Sequence, residues 1–266
     1  MRRTKVILII LGLTFLFTAN ALAGPVIDRI LQKKELVVGI SGNQPPLSAT
    51  SKEGDIIGLE ADLAQLMADT MGVKIKFEVM PFSELLSALQ TGKVEMVLSG
   101  MTITPERNLK VAFVGPYFIS GKAFLTKVKT IALAKEADDV NNPNTKLVAL
   151  KGSTSQAFAE AVLDKTTLYT TGNYDEAVDM VLKDKVQAMI ADYPICVVSV
   201  FRYPEAGLLS VVTPLTYEPI GIAIPANDPL LMNWTTNTLN SIESSGQLDE
   251  LRLKWFARGS WLEKLK

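Results

Sequence analysis

The sequence predicts an α/β protein of two similar lobes, each a mostly parallel sheet with helices on its faces. Three observations carry that expectation. Short apolar runs alternate with helical periodicity through the first half of the chain, and the same alternation restarts in the second half. Between the halves, Lys127 to Thr145 is polar and contains Asn141-Asn142-Pro143-Asn144, the composition of a surface connection. Apolar residues make up 48% of the chain, enough for a sizeable core, and the length suits one large or two modest domains of about 100–150 residues each.

The chain opens on the basic stretch Met1-Arg2-Arg3-Thr4-Lys5, and the segment Val6 to Phe17 is apolar apart from Gly12 and Thr14. That segment is short for the ~20 residues that span a bilayer. Ala21-Leu22-Ala23 supplies the small residues a signal peptidase accepts, so residues 1–23 read as a signal peptide cleaved before Gly24, with Ala19-Asn20-Ala21 as the alternative site. Arg2-Arg3 alone does not argue for the twin-arginine route. No cysteine follows the apolar segment to be acylated, and the mature chain is expected to be soluble, without direct membrane insertion.

Leu36-Val37-Val38-Gly39-Ile40 is a β-branched run ended by Ser41-Gly42-Asn43 and Pro45-Pro46, the pattern of a buried strand followed by a loop. From Leu59, the positions Leu63, Leu66, Met67 and Met71 keep helical spacing, and Gly72 stands where a helix stops. Val73, Ile75, Phe77 and Val79 alternate with charged residues as a strand does. Pro81 opens a helix carrying Phe82, Leu85, Leu86 and Leu89, Gly92 ends it, and Val94 to Leu98 is the next strand. The second half repeats the scheme with a strand at Leu147 to Leu150, a helix near Ser155 to Leu163, a strand near Leu168, a helix near Asp175 to Lys183, and a strand from Val186 to Ile190. Leu85 to Leu98 and Ala177 to Ile190 are a loose internal echo of each other. Two more helices are expected near the end, one opened by Asp228-Pro229 and one around Leu248 to Phe256.

Composition excludes much. There is no histidine, so Ser-His-Asp and Cys-His catalysis, His-ligated zinc and His general bases are ruled out. The single cysteine, Cys196, lies in the apolar run Ile195 to Val198 and reads as a small buried hydrophobe. A net charge of -1 with intermixed signs argues against a nucleic-acid surface. No EF-hand spacing of carboxylates implies a metal, and Thr91-Gly92-Lys93-Val94 lacks the first glycine and the terminal hydroxyl of a phosphate loop.

Ligands of open α/β sheets bind beyond the carboxyl ends of the strands. There, one echoed strand runs into Ser99-Gly100-Met101-Thr102-Ile103-Thr104-Pro105-Glu106-Arg107 and the other into Ala191-Asp192. One lobe presents hydroxyls and an arginine, the other a carboxylate. An arginine fork clamps a carboxylate and an aspartate accepts from an ammonium, so opposite charges on opposite lobes suit a zwitterion. Lys151-Gly152-Ser153-Thr154-Ser155 precedes a helix, where free backbone N–H groups favour an anion; read blandly, Ser153 is only an N-cap.

These segments resemble the polar-amino-acid family of periplasmic solute-binding proteins that feed ABC importers, the family 3 type. Gly58-Leu59-Glu60-Ala61-Asp62-Leu63-Ala64 resembles that family's G-F-x-x-D-L-A, and Gly100 to Arg107 is similar to its G-M-T-I-T-x-E-R. Gly115-Pro116-Tyr117, Lys151 to Thr154, Ala191-Asp192, Gly221-Ile222-Ala223, Gly246-Gln247-Leu248 and Lys254-Trp255-Phe256 also match, so the likeness runs from about Leu36 to Phe256. It implies a Venus-flytrap fold with two hinge crossings, near Gly121 to Thr126 and near Thr213 to Glu218. Lobe 1 would comprise 24–122 and 217–266, and lobe 2 would comprise 123–216.

By the same resemblance, Arg107 with Thr102, Gly152, Ser153 and Thr154 would hold an α-carboxylate, and Asp192 an α-ammonium. Ser99 and Gly100 would add contacts, and Phe82 would flank the ligand's side chain. The implied partners are an amino acid and the membrane permease of an ABC importer, for a monomer with no cofactor. Two departures stand out: Gln44 and Leu47 replace the aromatics that flank Pro45-Pro46 in the family, and Ser41 stands where binders of basic amino acids carry an aspartate, which disfavours a cationic side chain. A lyase acting on prephenate or arogenate is the enzymatic alternative, with Glu60, Glu218 and Asp192 as acids near the cleft. A soluble subunit that signals to a membrane sensor is the other.

Overall fold

The computed structural model describes residues 24–211 and 214–265; the expected signal peptide lies outside the described residues. Helix α1 (Pro25–Lys33) leads into β1 (Glu35–Ile40) and a small meander of β2 (Asn43–Gln44), β3 (Ser48–Thr50) and β4 (Ile56–Ile57). Helix α2 (Leu59–Met71) keeps the apolar spacing read from the sequence, burying Leu63, Ala64 and Met67, and stops at Gly72 in the left-handed region, φ 69°. Then come β5 (Lys74–Val79), a 3₁₀ turn Phe82–Glu84, α3 (Leu85–Gln90), β6 (Met96–Val97), the one-turn α4 (Pro105–Asn108) and β7 (Ala112–Ser120). The second unit holds β8 (Lys122–Thr126), α5 (Lys129–Ala132), β9 (Lys146–Leu150), α6 (Thr154–Val162), β10 (Thr167–Thr171), α7 (Tyr174–Leu182), β11 (Ala188–Asp192), α8 (Tyr193–Arg202) and β12 (Leu209–Ser210). The chain returns through β13 (Glu218–Ile224) to α9 (Pro229–Ser244) and α10 (Gln247–Arg252), which continues into a π-helical turn, Leu253–Ala257.

Two five-stranded sheets result, ordered β5-β1-β6-β13-β7 and β10-β9-β11-β8-β12. In each, the parallel ladders predicted by the strand-helix alternation occupy one half: β1 with β5 and β6, and β9 with β10 and β11. The other half of each sheet is antiparallel, so both are mixed. The antiparallel strands are the ones that carry the chain between sheets. Strand β7 ends at Ser120 and β8 starts at Lys122, leaving only Gly121 between lobes. A Cβ on Gly121 would sit 2.2 Å from the Thr216 carbonyl oxygen and 2.5 Å from Pro214 Cβ, so the outgoing and returning segments are packed in contact. Two hydrogen bonds tie them, Lys122 N to Thr216 Oγ1 at 3.0 Å and Leu215 N to Lys122 O at 2.8 Å.

One core packs Leu36, Val38, Leu63, Met67, Ile222, Leu239, Leu248 and Trp255 on one face of the first sheet. A second joins Leu147, Ala149, Met189 and Ile190 of the other sheet to Leu85 and Leu89 of α3 and Val97 of β6. Cys196 is buried, as its apolar neighbours predict, and burial pushes its thiol far above the ordinary value.

Asp228 ties the start of α1 to the start of α9. Its Oδ2 accepts from Val26 N (2.8 Å) and Ile27 N (3.0 Å) at the start of α1, and its Oδ1 accepts from Leu231 N (2.8 Å) at the start of α9. The side chain is buried, so Asp228→Ala leaves three shielded N–H groups without an acceptor. The expected cost is about 2–4 kcal/mol, read as a fall of about 5–15 °C in Tm by calorimetry; an unchanged Tm would contradict the assignment.

Candidate functional site

The segments singled out at the strand ends come together between the sheets. The stretch after β6 is pinned to β13 by Ile103 N to Pro219 O (2.8 Å), Gly221 N to Met101 O (3.0 Å) and a Thr102–Ile220 bridge. Thr104 then caps α4, accepting from Arg107 N at 3.3 Å. That turn aims Arg107 across the gap. Its Nη1 donates to Thr102 O in its own lobe (2.8 Å) and its Nη2 to Gly152 O in the other (3.2 Å). The guanidinium carbon lies 5.7 Å from the centre of the Phe82 ring, within cation–π range. Burial pulls the guanidinium's pKa below its ordinary value, and the charges of Asp192 and Glu218 oppose that; a guanidinium so placed stays protonated.

Thr102 and Thr154 face each other across the lobes, hydroxyl to hydroxyl at 3.4 Å, and Thr154 also donates to Glu218 Oε2 at 3.2 Å. Ser153 is the N-cap of α6, accepting from Gln156 N (3.1 Å) while donating to Leu150 O (2.7 Å). Its side chain is therefore committed locally, as the bland reading had it. Gly152 N donates to Gln156 Oε1 (2.8 Å), leaving its carbonyl to Arg107.

Ser99 and Gly100 lie one layer behind the cleft. Ser99 Oγ accepts from Ser41 N (3.0 Å) and donates to Ser41 Oγ (2.8 Å), and Gln44 Nε2 donates to Ser41 Oγ, Ser99 O and Ser99 Oγ at 2.8–3.1 Å. Gln44, which replaces an aromatic of the resembled family, is thus a buried hydrogen-bonding post. Gly100 sits at φ 59°, a conformation L side chains rarely adopt, and a Cβ there would lie 2.3 Å from Gln44 Oε1 and push that side chain aside. Gly100 N donates to Glu60 Oε1 at 2.5 Å, and Tyr117 Oη donates to the same oxygen. Burial pushes the Glu60 carboxyl up to about 7, opposed by the hydrogen bonds from Tyr117 and Gly100 and supported by the charge of Asp192. Burial and the Glu60 charge raise the Tyr117 phenol well above its ordinary value, so it remains a donor.

Asp192 ends β11 and starts α8, but its side chain does not cap that helix. Its Oδ1 accepts instead from Lys122 Nζ at 2.8 Å, and Lys122 Nζ lies 3.3 Å from Glu218 Oε2. This lysine is the residue that reading the sequence missed. It is 1% exposed. The available signal was a lone charge opening the apolar run Ala123-Phe124-Leu125 where the chain changes lobes. The antiparallel register pairs Lys122 directly with Asp192, so the ion pair is built into the sheet.

The gap between lobes thus holds two cations, Arg107 and Lys122, and two carboxylates, Asp192 and Glu218. An apolar cavity of about 470 Å³ between α8 and the C-terminal turns, lined by Phe118, Tyr193, Phe201 and Trp255 among others, includes none of these four residues. Among the described residues, no cluster of three or more His, Cys, Asp or Glu is placed to hold a metal, and no helix is long and apolar enough to cross a membrane.

Comparison with known proteins gives a consistent picture. The family described as bacterial extracellular solute-binding proteins, family 3, matches residues 36–258. The crystal structure of the ancestral amino acid-binding protein AncCDT-1, a precursor of cyclohexadienyl dehydratase, superposes with a TM-score of 0.79 at 36% identity, covering 86% of this chain and 99% of that one. The arginine-binding periplasmic protein of Mannheimia haemolytica is 24% identical over 227 residues, 84% of this chain and 92% of its own length. The cyclohexadienyl dehydratase of Pseudomonas aeruginosa is 23% identical over 229 residues, 86% of this chain and 85% of the enzyme.

Proposed function

The chain belongs to the bacterial extracellular solute-binding proteins, family 3, and from that premise we propose that it captures an amino acid or a related zwitterion between its lobes and delivers it to the permease of an ABC importer. The observation that carries this reading is the pairing of charges across the gap, Arg107 on the first lobe and Asp192 on the second, with Glu218 beside them where the chain returns into β13. A ligand carboxylate fits the free donors of Arg107, with Thr102 and Thr154 beside it, and an ammonium fits Asp192. Both lobes supply groups to one ligand, so binding and lobe closure are coupled. Export to the periplasm with cleavage before Gly24 is part of the same reading; mass spectrometry of the secreted protein should find Gly24 at its N-terminus.

The family includes an enzyme, the dehydratase of Pseudomonas aeruginosa. A lyase needs a poised acid facing the substrate. Here the carboxyl raised toward neutrality is Glu60, which is fully buried behind Gly100 and spends one oxygen on Tyr117 and Gly100 N. That placement favours binding over catalysis. A thermal-shift screen against the proteinogenic amino acids, common zwitterions and prephenate decides the matter, because a ligand of the folded state alone raises Tm. A shift with an amino acid or a zwitterion and no product supports the proposal. Consumption of prephenate, or silence from every amino acid and zwitterion, would overturn it.

A further inference from the structure

We propose that Lys122 is a resident cation that sets the side-chain specificity of the cleft, favouring amino acids with a neutral side chain over those with a cationic one. This rests on the amino-acid-binding reading above and goes beyond it. Lys122 is the first residue after the crossing at Gly121, and its position follows from register: it faces Asp192 on β11, while Glu218 opens the returning strand β13. The ammonium is shielded from solvent and donates to Asp192 Oδ1 at 2.8 Å, with Glu218 Oε2 at 3.3 Å. Glu218 is held in place independently, by Thr154 on Oε2 and by Thr216 on Oε1 (3.0 Å).

Buried charges persist only when compensated. The two cations and two carboxylates of the cleft balance one another, and a zwitterion preserves that balance. Its carboxylate adds to Arg107, and its ammonium to the Asp192 oxygen that Lys122 leaves open. An arginine or lysine ligand brings one further positive charge. The acceptors that charge would need, Asp192 Oδ1 and Glu218 Oε2, already hold Lys122. The aromatic face of Phe82, the other attraction for a cation, already carries Arg107. Like-charge juxtaposition at a dehydrated contact is a strong device for rejection.

The test is calorimetric titration of the mature full-length chain with glutamine, arginine, lysine and the remaining neutral amino acids. The wild type should bind at least one neutral amino acid more than about tenfold tighter than arginine or lysine. Lys122→Gln should raise the affinity for arginine or lysine by about tenfold or more, because it frees both carboxylates. Lys122→Gln combined with Glu218→Gln restores the charge balance and should cancel that gain, and Lys122→Arg should keep the wild-type preference. A wild type that prefers arginine or lysine, or a selectivity unmoved in Lys122→Gln, overturns the inference. If Lys122→Gln does not fold by circular dichroism, the wild-type preference and Lys122→Arg decide by the same criteria. A wild type that binds no amino acid sinks the amino-acid reading and this inference together, whereas a cation preference sinks the inference alone.

Discussion

Arg107→Ala is expected to abolish ligand capture at working concentrations while leaving the fold intact. Arg107 projects from a single helical turn and is only partly buried, so its loss opens no cavity in either core. Two of its donors are spent on Thr102 O and Gly152 O, which fixes the plane of the guanidinium and leaves the remaining donors for a ligand carboxylate. Truncating one partner of a buried charge-assisted pair costs about 2–5 kcal/mol, a loss of roughly 30-fold to several thousand-fold in affinity. Arg107→Lys should recover only part of this, since a point charge cannot reproduce a fork that engages two carbonyls and a carboxylate together. Titration calorimetry reads the affinity and the Tm of the free protein reads the fold. An alanine variant with near-native affinity would remove Arg107 from the site. The same residue bridges the lobes through Thr102 O and Gly152 O, so the variant should also close less readily; small-angle scattering would show this as a larger radius of gyration.

How much of this was legible in the sequence depends on the range of the interaction. Helix α2 with its stop at Gly72, the alternating strand β5 and the cap of α9 at Asp228 follow from local periodicity and local hydrogen bonding, and each stands where it was expected. The parallel half of each sheet was legible for the same reason, since a helix between two strands implies a crossover. The antiparallel half was not. Strand β13 pairs with β7 from about a hundred residues away, and β8 pairs with β11 across three helices and two strands, distances at which an apolar run such as Ile220 to Ile224 names no partner. The site divides similarly. Arg107, Thr102, Thr154 and Asp192 lie at strand ends, where topology alone directs attention. Nothing local marks Lys122, since a lysine is ordinarily solvent-exposed; the long-range pairing of β8 with β11 brings Asp192 to it and the return of the chain into β13 brings Glu218. In the sequence Gln44 stands out only as the replacement of an aromatic; its donation to Ser41 Oγ, Ser99 O and Ser99 Oγ is set by the tertiary structure.

Glu60 carries the second large effect, on stability against pH. Its carboxyl has an ordinary value of 4.5 and is pushed up to about 7 by burial. The folded protein therefore holds this proton more tightly than the unfolded chain does. Its contribution to stability is complete below about pH 4.5 and is lost as pH rises through about 7, the reverse of a salt-bridged carboxylate. The gap between the two values corresponds to about 3 kcal/mol for a fully buried group. Burial fixes the direction. Tyr117 from β7 and Gly100 N both donate to it and stabilise the anion, the negative charge of Asp192 opposes ionisation, and burial outweighs the donors. Glu60→Gln keeps the shape and an acceptor for both donors but cannot titrate. Scanned from about pH 5 to about pH 8, the wild type should lose about 5–10 °C of Tm relative to Glu60→Gln, whose curve lacks this component. Parallel curves for the two proteins would show that Glu60 does not titrate in this range. Because Glu60 grips Gly100 N, and Gly100 leads directly into Met101 and Thr102, its ionisation also bears on the loop that carries Thr102 and Arg107. Ligand affinity in Glu60→Gln should therefore vary less across the same pH range than in the wild type.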